Sequence, residues 1–236
     1  MYPEKKRPMP INTRMLVGQI VGLFLVFALA FFLPAGTIAW PAGWIFLALF
    51  FGFVVALSLW LLQHNPALLH ERMKGNYQAG QKTWDKVFHT LVSVAFLAWL
   101  ILMPLDAVRF HWTRMPIWLQ GVGALILLCS FRLFFLTFRE NTYLSPVVRI
   151  QTDRGQTVVS TGPYRYVRHP MYAAFLLFAP GVTLLLGSWA GLALGLALMI
   201  GVALRAVLEE RVLRAELAGY DAYMAQVKYR LIPYLW

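Results

Sequence analysis

Apolar windows constrain this chain more than any other feature. Four run from about 15 to 33, 43 to 62, 87 to 105 and 116 to 136, and a fifth covers roughly 38 residues from Met171 to about Leu208. A helix needs about 20 apolar residues to cross a ~30 Å hydrocarbon core. Backbone groups in lipid must also bond within their own segment. The first four windows are one span each. The fifth is too long for one and is interrupted at Leu186-Gly187-Ser188-Trp189, which reads as a tight helical hairpin. The expected fold is an all-α integral membrane protein of about six transmembrane helices, or five if the hairpin does not fully cross. Composition agrees: 13% of residues are charged, against about a quarter in a soluble protein. The N-terminus imitates a signal peptide, but its apolar run is too long and no convincing cleavage site follows, so Met15 onward reads as a retained first helix.

The formal net charge of +11 would suit nucleic acid, but its placement argues for topology. With a cytoplasmic N-terminus, the inner segments hold 17 Lys and Arg residues, from Lys5, Lys6, Arg7 and Arg14 to Lys228 and Arg230. The outer loops hold only Arg109 and Arg114. That asymmetry follows the positive-inside rule and favours anionic headgroups as partners. Both chain ends are expected in the cytoplasm. The single cysteine, Cys129, falls within the fourth span, where a buried apolar role is expected. The five histidines lack metal-ligand spacing, so no metal is expected.

Residues 1–14 form a basic tail. Two inner connections, about 63–86 and 137–170, are longer than turns. In the second, β-branched runs at Val147-Val148 and Thr157-Val158-Val159 flank Asp153-Arg154-Gly155, a pattern that predicts a small β-hairpin. From Glu209 to about Lys228, apolar and aromatic residues recur at three- and four-residue spacing, predicting a helix that continues the last span or lies along the interface. The chain divides at about 136–137. A tail and four spans precede that point; an inner loop, hairpin and cytoplasmic helix follow it.

Chemistry concentrates in that second part. Gly162-Pro163-Tyr164-Arg165-Tyr166-Val167-Arg168-His169-Pro170-Met171-Tyr172 crowds polar groups at the start of the fifth window, and Glu209-Glu210 stands at its end. Ionisable groups at membrane depth are costly and tend to mark sites. Proline suits the first helical turn, so His169 is expected at the N-cap. An ordinary alternative makes the glutamates helix-face partners of Arg205 and Arg214, four residues away in each case. Against it, neighbours on a helix point about 100° apart, so one glutamate faces inward if the other faces water; Glu210 is the preferred one. Arg230 reads either as an interfacial anchor or as a clamp for an anion. Gly187, Gly191 and Gly195 share four-residue spacing, for which helix packing is the expected use.

These elements together, with Leu213, Tyr220, Tyr223 and Arg230-x-x-Pro233, resemble the isoprenylcysteine carboxyl methyltransferase family, which in turn resembles the integral-membrane phospholipid methyltransferases. The resemblance covers about residues 139–236. It implies S-adenosylmethionine as methyl donor, held between the inner loop and the last helices on the cytoplasmic side. By motif position, His169 and Tyr172 would contact the donor, Glu209 or Glu210 would bind its charged or hydroxylated parts, and Gly162 and Tyr164 would line the pocket. Arg230 would sit where the acceptor meets the methyl group, with Glu210 as the other candidate catalytic residue. The acceptor would be a lipophilic molecule or lipidated chain arriving from the membrane. Two other classes compete. One is an NADPH-dependent membrane sterol-type reductase, which would need inner arginines for a phosphorylated dinucleotide. The other, less favoured, is a transporter or scaffold, for which no internal repeat is visible.

Overall fold

The computed structural model describes residues 11–75 and 77–236. The expected basic cluster Lys5, Lys6 and Arg7 lies outside them. Eight α-helices form among the described residues. They are α1 (Thr13–Ala35), α2 (Pro41–His64), α3 (Pro66–Met73), α4 (Thr83–Pro104), α5 (Ile117–Glu140), α6 (Pro170–Leu186), α7 (Trp189–Glu216) and α8 (Tyr220–Gln226). A five-residue π-helical segment, Leu105–Arg109, extends α4. Five helices are long and apolar enough to cross a membrane, and α6 is a shorter apolar helix of 17 residues. The protein is thus the all-α membrane bundle that its apolar windows describe.

Local chemistry sets the boundaries. The Asn12 side chain accepts the Met15 N–H at 3.1 Å and caps α1. Proline occupies the first turn of α2, α3 and α6, where its missing N–H costs nothing. The hairpin turns where expected. Gly187 adopts φ +79°, which a residue with a Cβ rarely tolerates, and the Ser188 side chain then caps α7 by accepting the Gly191 N–H at 2.8 Å.

Two buried carboxylates lock α4 against α7 at opposite ends. In the first turn of α4, Asp85 accepts from the Arg205 guanidinium of α7 at 3.0 Å and from the Val148 N–H at 2.8 Å. At the far end, Asp106 accepts from the Ser188 hydroxyl at 2.6 Å, the Ala190 N–H at 3.1 Å and the Thr113 hydroxyl. The two helices therefore run antiparallel. The start of α4, the loop after α5, the start of α6 and the end of α7 all gather at one end of the bundle. Between the locks, Phe27, Phe31, Phe46, Trp99, Phe131 and Phe178 build one core drawn from both halves of the chain. The outward faces carry exposed residues such as Leu33, Val94, Leu125 and Ile200, as lipid contact requires.

Four expectations need correction. No strand forms among the described residues. In the 147–159 stretch the Gln151 side chain instead bonds the Tyr143 carbonyl at 2.6 Å, Arg154 bonds the Thr142 carbonyl at 2.8 Å, and Thr152–Arg154 turns as a 3-10 helix. Val148, which a ladder would have paired across the hairpin, instead donates its N–H to Asp85 and accepts the Lys82 N–H. Cys129 is exposed on the bundle surface rather than buried. The helix after Glu209 stops at Glu216, and Gly219 at φ +83° redirects the chain into α8. Gly187 is a turn residue, whereas Gly191 and Gly195 do pack, against Met103 and Trp99; the Trp99 indole donates to the Gly191 carbonyl at 2.7 Å.

The tightest helix contact is between α5 and α6. A Cβ at Gly181 would stand 2.8 Å from the Leu127 backbone nitrogen, so only glycine allows this approach. Gly181→Leu is expected to lower the melting temperature in detergent sharply, by the equivalent of about 3 kcal/mol, the upper part of the overpacking range. Gly121→Leu, whose Cβ would meet nothing within 4 Å, should leave it unchanged.

Candidate active site

The polar run before α6 is tied down by its own backbone. The Arg168 N–H donates to the Tyr229 carbonyl at 2.9 Å and the His169 N–H to the Arg230 carbonyl at 3.0 Å. This lays the segment after α8 beside the start of α6. His169 is the N-cap residue of α6, and its ring stacks on Tyr172 one turn later, with centroids 5.5 Å apart. Gly162 sits at φ +56°, and a Cβ there would land on the Glu140 side chain.

Glu210 is the centre to which these segments converge. Its Oε1 accepts from Arg168 Nε at 2.6 Å and lies 3.2 Å from His169 Nε2; its Oε2 accepts from Arg230 Nε at 2.7 Å. The residue is 3% exposed. A carboxylate so enclosed is tolerable only because cations neutralise it. Arg168 also donates to the Val227 and Lys228 carbonyls, and Arg230 lies over the Trp236 ring at 4.7 Å. One side chain thereby joins α7, the start of α6 and the C-terminal segment.

Its neighbour Glu209 faces a different space. The Tyr172 hydroxyl donates to Glu209 Oε2, and both residues line a cavity of about 320 Å³. This is within the range of small-molecule sites. The loop after α5 roofs the cavity through Tyr143, Val148 and Val158, and α8 closes it through Tyr220 and Tyr223. The Tyr164 hydroxyl is bonded by Asn141 at 2.7 Å, and the Tyr223 hydroxyl donates to the Tyr164 carbonyl at 2.7 Å. Burial pushes the phenols of Tyr164, Tyr220 and Tyr223 up, so all three remain protonated. The Tyr220 hydroxyl is buried in the cavity wall without a hydrogen-bond partner among the described residues. A buried, unpartnered donor is costly, and a polar ligand atom would relieve it.

The sequence-selected residues fall into two groups. Tyr164, His169, Tyr172 and Glu209 line the cavity. Glu210 and Arg230 form the ion cluster beside it, and Gly162 shapes the turn leading to Tyr164. The helix-face pairing of the glutamates does not occur: Arg205 bonds Asp85 and Arg214 bonds Asp221. Sequence reading missed a further wall of the cavity, made by Arg72, His89, Arg149 and Arg205. Among the clues, only the cost of Arg205 near the end of an apolar helix was visible. Arg149 is held by buried Glu71 at 2.9 Å.

The polar, tyrosine-rich cavity at one end of this all-helical membrane bundle is the candidate site. Residues 118–218 match the phospholipid methyltransferase family, whose members are integral-membrane methyltransferases related to the isoprenylcysteine carboxyl methyltransferases. The match spans α5, the loop after it, α6 and α7, and with the apolar helices it supports a membrane methyltransferase. No curated protein matches the chain.

Glu210→Ala leaves two guanidinium groups without their carboxylate. It is expected to cost about 3 kcal/mol, the lower end for breaking a buried pair since Arg230 is half-buried, read as a lower melting temperature in detergent. A second expectation concerns pH. Burial alone would raise the Glu71 carboxyl, but hydrogen bonds from Lys74 and Arg149 outweigh it and hold it below its usual value of 4.5. A depressed folded-state value gives stability that is present above 4.5 and lost as pH falls through the folded value. Glu71→Gln should therefore flatten the dependence of melting temperature on pH in the acid range.

Proposed function

We propose that this chain is a S-adenosylmethionine-dependent methyltransferase that methylates a lipophilic acceptor at the cytoplasmic face of a membrane. The observation that carries this reading is the Tyr172–Glu209 pair facing a tyrosine-lined cavity, inside the segment that matches a methyltransferase family. The residues fit the donor. Aromatic faces and a carboxylate attract a sulfonium cation, and the unpartnered Tyr220 hydroxyl offers a hydrogen bond to its polar parts.

When bound, S-adenosylmethionine supplies an electrophilic methyl group. The chain's task is to bind, align and keep the site dry. In-line displacement needs positioning far more than acid–base chemistry, which suits a cavity without a nucleophile–base pair. Tyr164, His169, Tyr172 and Glu209 are assigned to donor binding. Glu210 and Arg230 are assigned a positioning role: they fix Arg168 and His169 and so the cavity wall. The roof formed by the inner loop and α8 limits water, which favours a reaction in which opposite charges neutralise each other. The resemblance to the isoprenylcysteine carboxyl methyltransferases points to O-methylation of a carboxylate as the specific reaction.

Thermal-shift titration of the purified protein with S-adenosylhomocysteine tests the donor assignment. Saturating ligand should raise the melting temperature. Glu209→Ala should weaken binding at least about tenfold, as the loss of a charge-assisted contact does, with the ligand-free melting temperature little changed. Absence of any stabilisation of the parent protein would remove the donor from the reading.

A further inference from the structure

Beyond the residues assigned to the donor, the cavity has an arginine-lined end toward the apolar part of the bundle. Arg205 is one helical turn before Glu209 on α7, about 6 Å further into the apolar part of the bundle, and Arg72 of α3 joins it in the cavity wall. Other cations of the wall are already engaged. Arg205 bonds Asp85 and the Pro146 carbonyl, Arg149 bonds Glu71 and Asp153, and Arg168 bonds Glu210. Arg72 alone of these arginines makes no hydrogen bond or ion pair among the described residues; its guanidinium stacks on the Phe138 ring at 5.2 Å. Burial, and after it the positive charge of Arg205, lowers Arg72 to about 10, so it stays charged at neutral pH. The surroundings of α3 are apolar: Leu61, Leu68, Leu69 and Phe138 cluster there with Leu144 and Met171. A half-buried, unpaired guanidinium beside an apolar cluster suits an anion carried on a hydrocarbon chain.

We propose that Arg72 anchors an oxyanion, a carboxylate or phosphate, on the lipophilic acceptor, whose chain lies against the apolar cluster of α3 and α5. This rests on the methyltransferase reading and deepens it by naming the residue that holds the acceptor's anionic group. It also gives Arg72 the anion-holding role that is one of two readings of Arg230 in the sequence. With a carboxylate acceptor, an oxygen lone pair forms the new O–CH3 bond while the C–S bond breaks toward sulfur. Carboxylate and sulfonium both become neutral and no proton moves, so Arg72 requires no base beside it. A phosphate at Arg72 would hold a headgroup methylated at another atom.

The test uses the full chain in neutral detergent, with oleate, dodecyl phosphate and oleyl alcohol as probes, and S-adenosylhomocysteine titrated separately. One or both anionic probes should bind the parent protein, and which one binds separates the carboxylate from the phosphate source. Oleyl alcohol should bind weakly to parent and variant alike. Arg72→Gln should weaken the anionic probe at least about tenfold, with partial recovery in Arg72→Lys, and leave S-adenosylhomocysteine affinity unchanged. The ligand-free melting temperature of each variant checks its folding. Unchanged oleate and dodecyl phosphate binding in Arg72→Gln, with intact S-adenosylhomocysteine binding, would overturn the role of Arg72 alone. Parallel loss of S-adenosylhomocysteine affinity would assign Arg72 to the donor carboxylate and overturn the acceptor claim. Failure of S-adenosylhomocysteine to bind even the parent protein would sink the methyltransferase reading itself.

Discussion

A buried carboxylate must find its neutralising partners within the protein, and in this bundle that requirement falls most heavily on Glu210. Its two oxygens face Arg168, His169 and Arg230, which come from two chain segments lying 42 residues before it and 20 after it. Removing water strengthens each of these contacts and raises the cost of losing any of them. The start of α6 and the C-terminal segment consequently have one arrangement in which all charges are compensated. Cavity walls built on that arrangement inherit its rigidity.

The acidic doublet therefore divides its work. Helical geometry sends consecutive side chains in different directions, so one carboxylate is enclosed by cations while the other, bonded by Tyr172, is left facing the cavity. The same economy appears along α4. Asp85 and Asp106 are both fully buried and anchor opposite ends of α7, and Asp85 also holds the inner loop through Val148. A membrane bundle gains little from hydrophobic association between its own helices. Satisfied polar contacts and the glycine-permitted approach of α5 and α6 supply the specificity instead.

Much of this was legible in the chain. The spans, the hairpin turn at Gly187-Ser188 and the N-cap position of His169 follow from apolar length, a glycine that tolerates positive φ, a serine cap and a proline in the first turn. All of these are local signals. The convergence of the polar run and the acidic doublet followed from their placement at the two ends of one hairpin. What escaped was non-local. Nothing near Arg205 announces that its partner is Asp85, 120 residues earlier, or that Arg72 reaches the same cavity. The 147–159 stretch misled because its β-branched residues have no neighbouring strand, while the backbone of Val148 pairs with Asp85 and Lys82 at the start of distant α4.

The brevity of α6 has a consequence for how a ligand meets the protein. Seventeen residues rise about 26 Å, less than the ~30 Å of hydrocarbon around the bundle, and the far end of the helix is pinned through Ser188 and Asp106. With its far end at one membrane surface, its first turn, with His169 and Tyr172, would begin below the opposite headgroups. On the proposed reading the cavity would open within the leaflet. The proposed acceptor could then enter sideways with its tail still solvated by lipid, and the protein would not have to lift that tail into water.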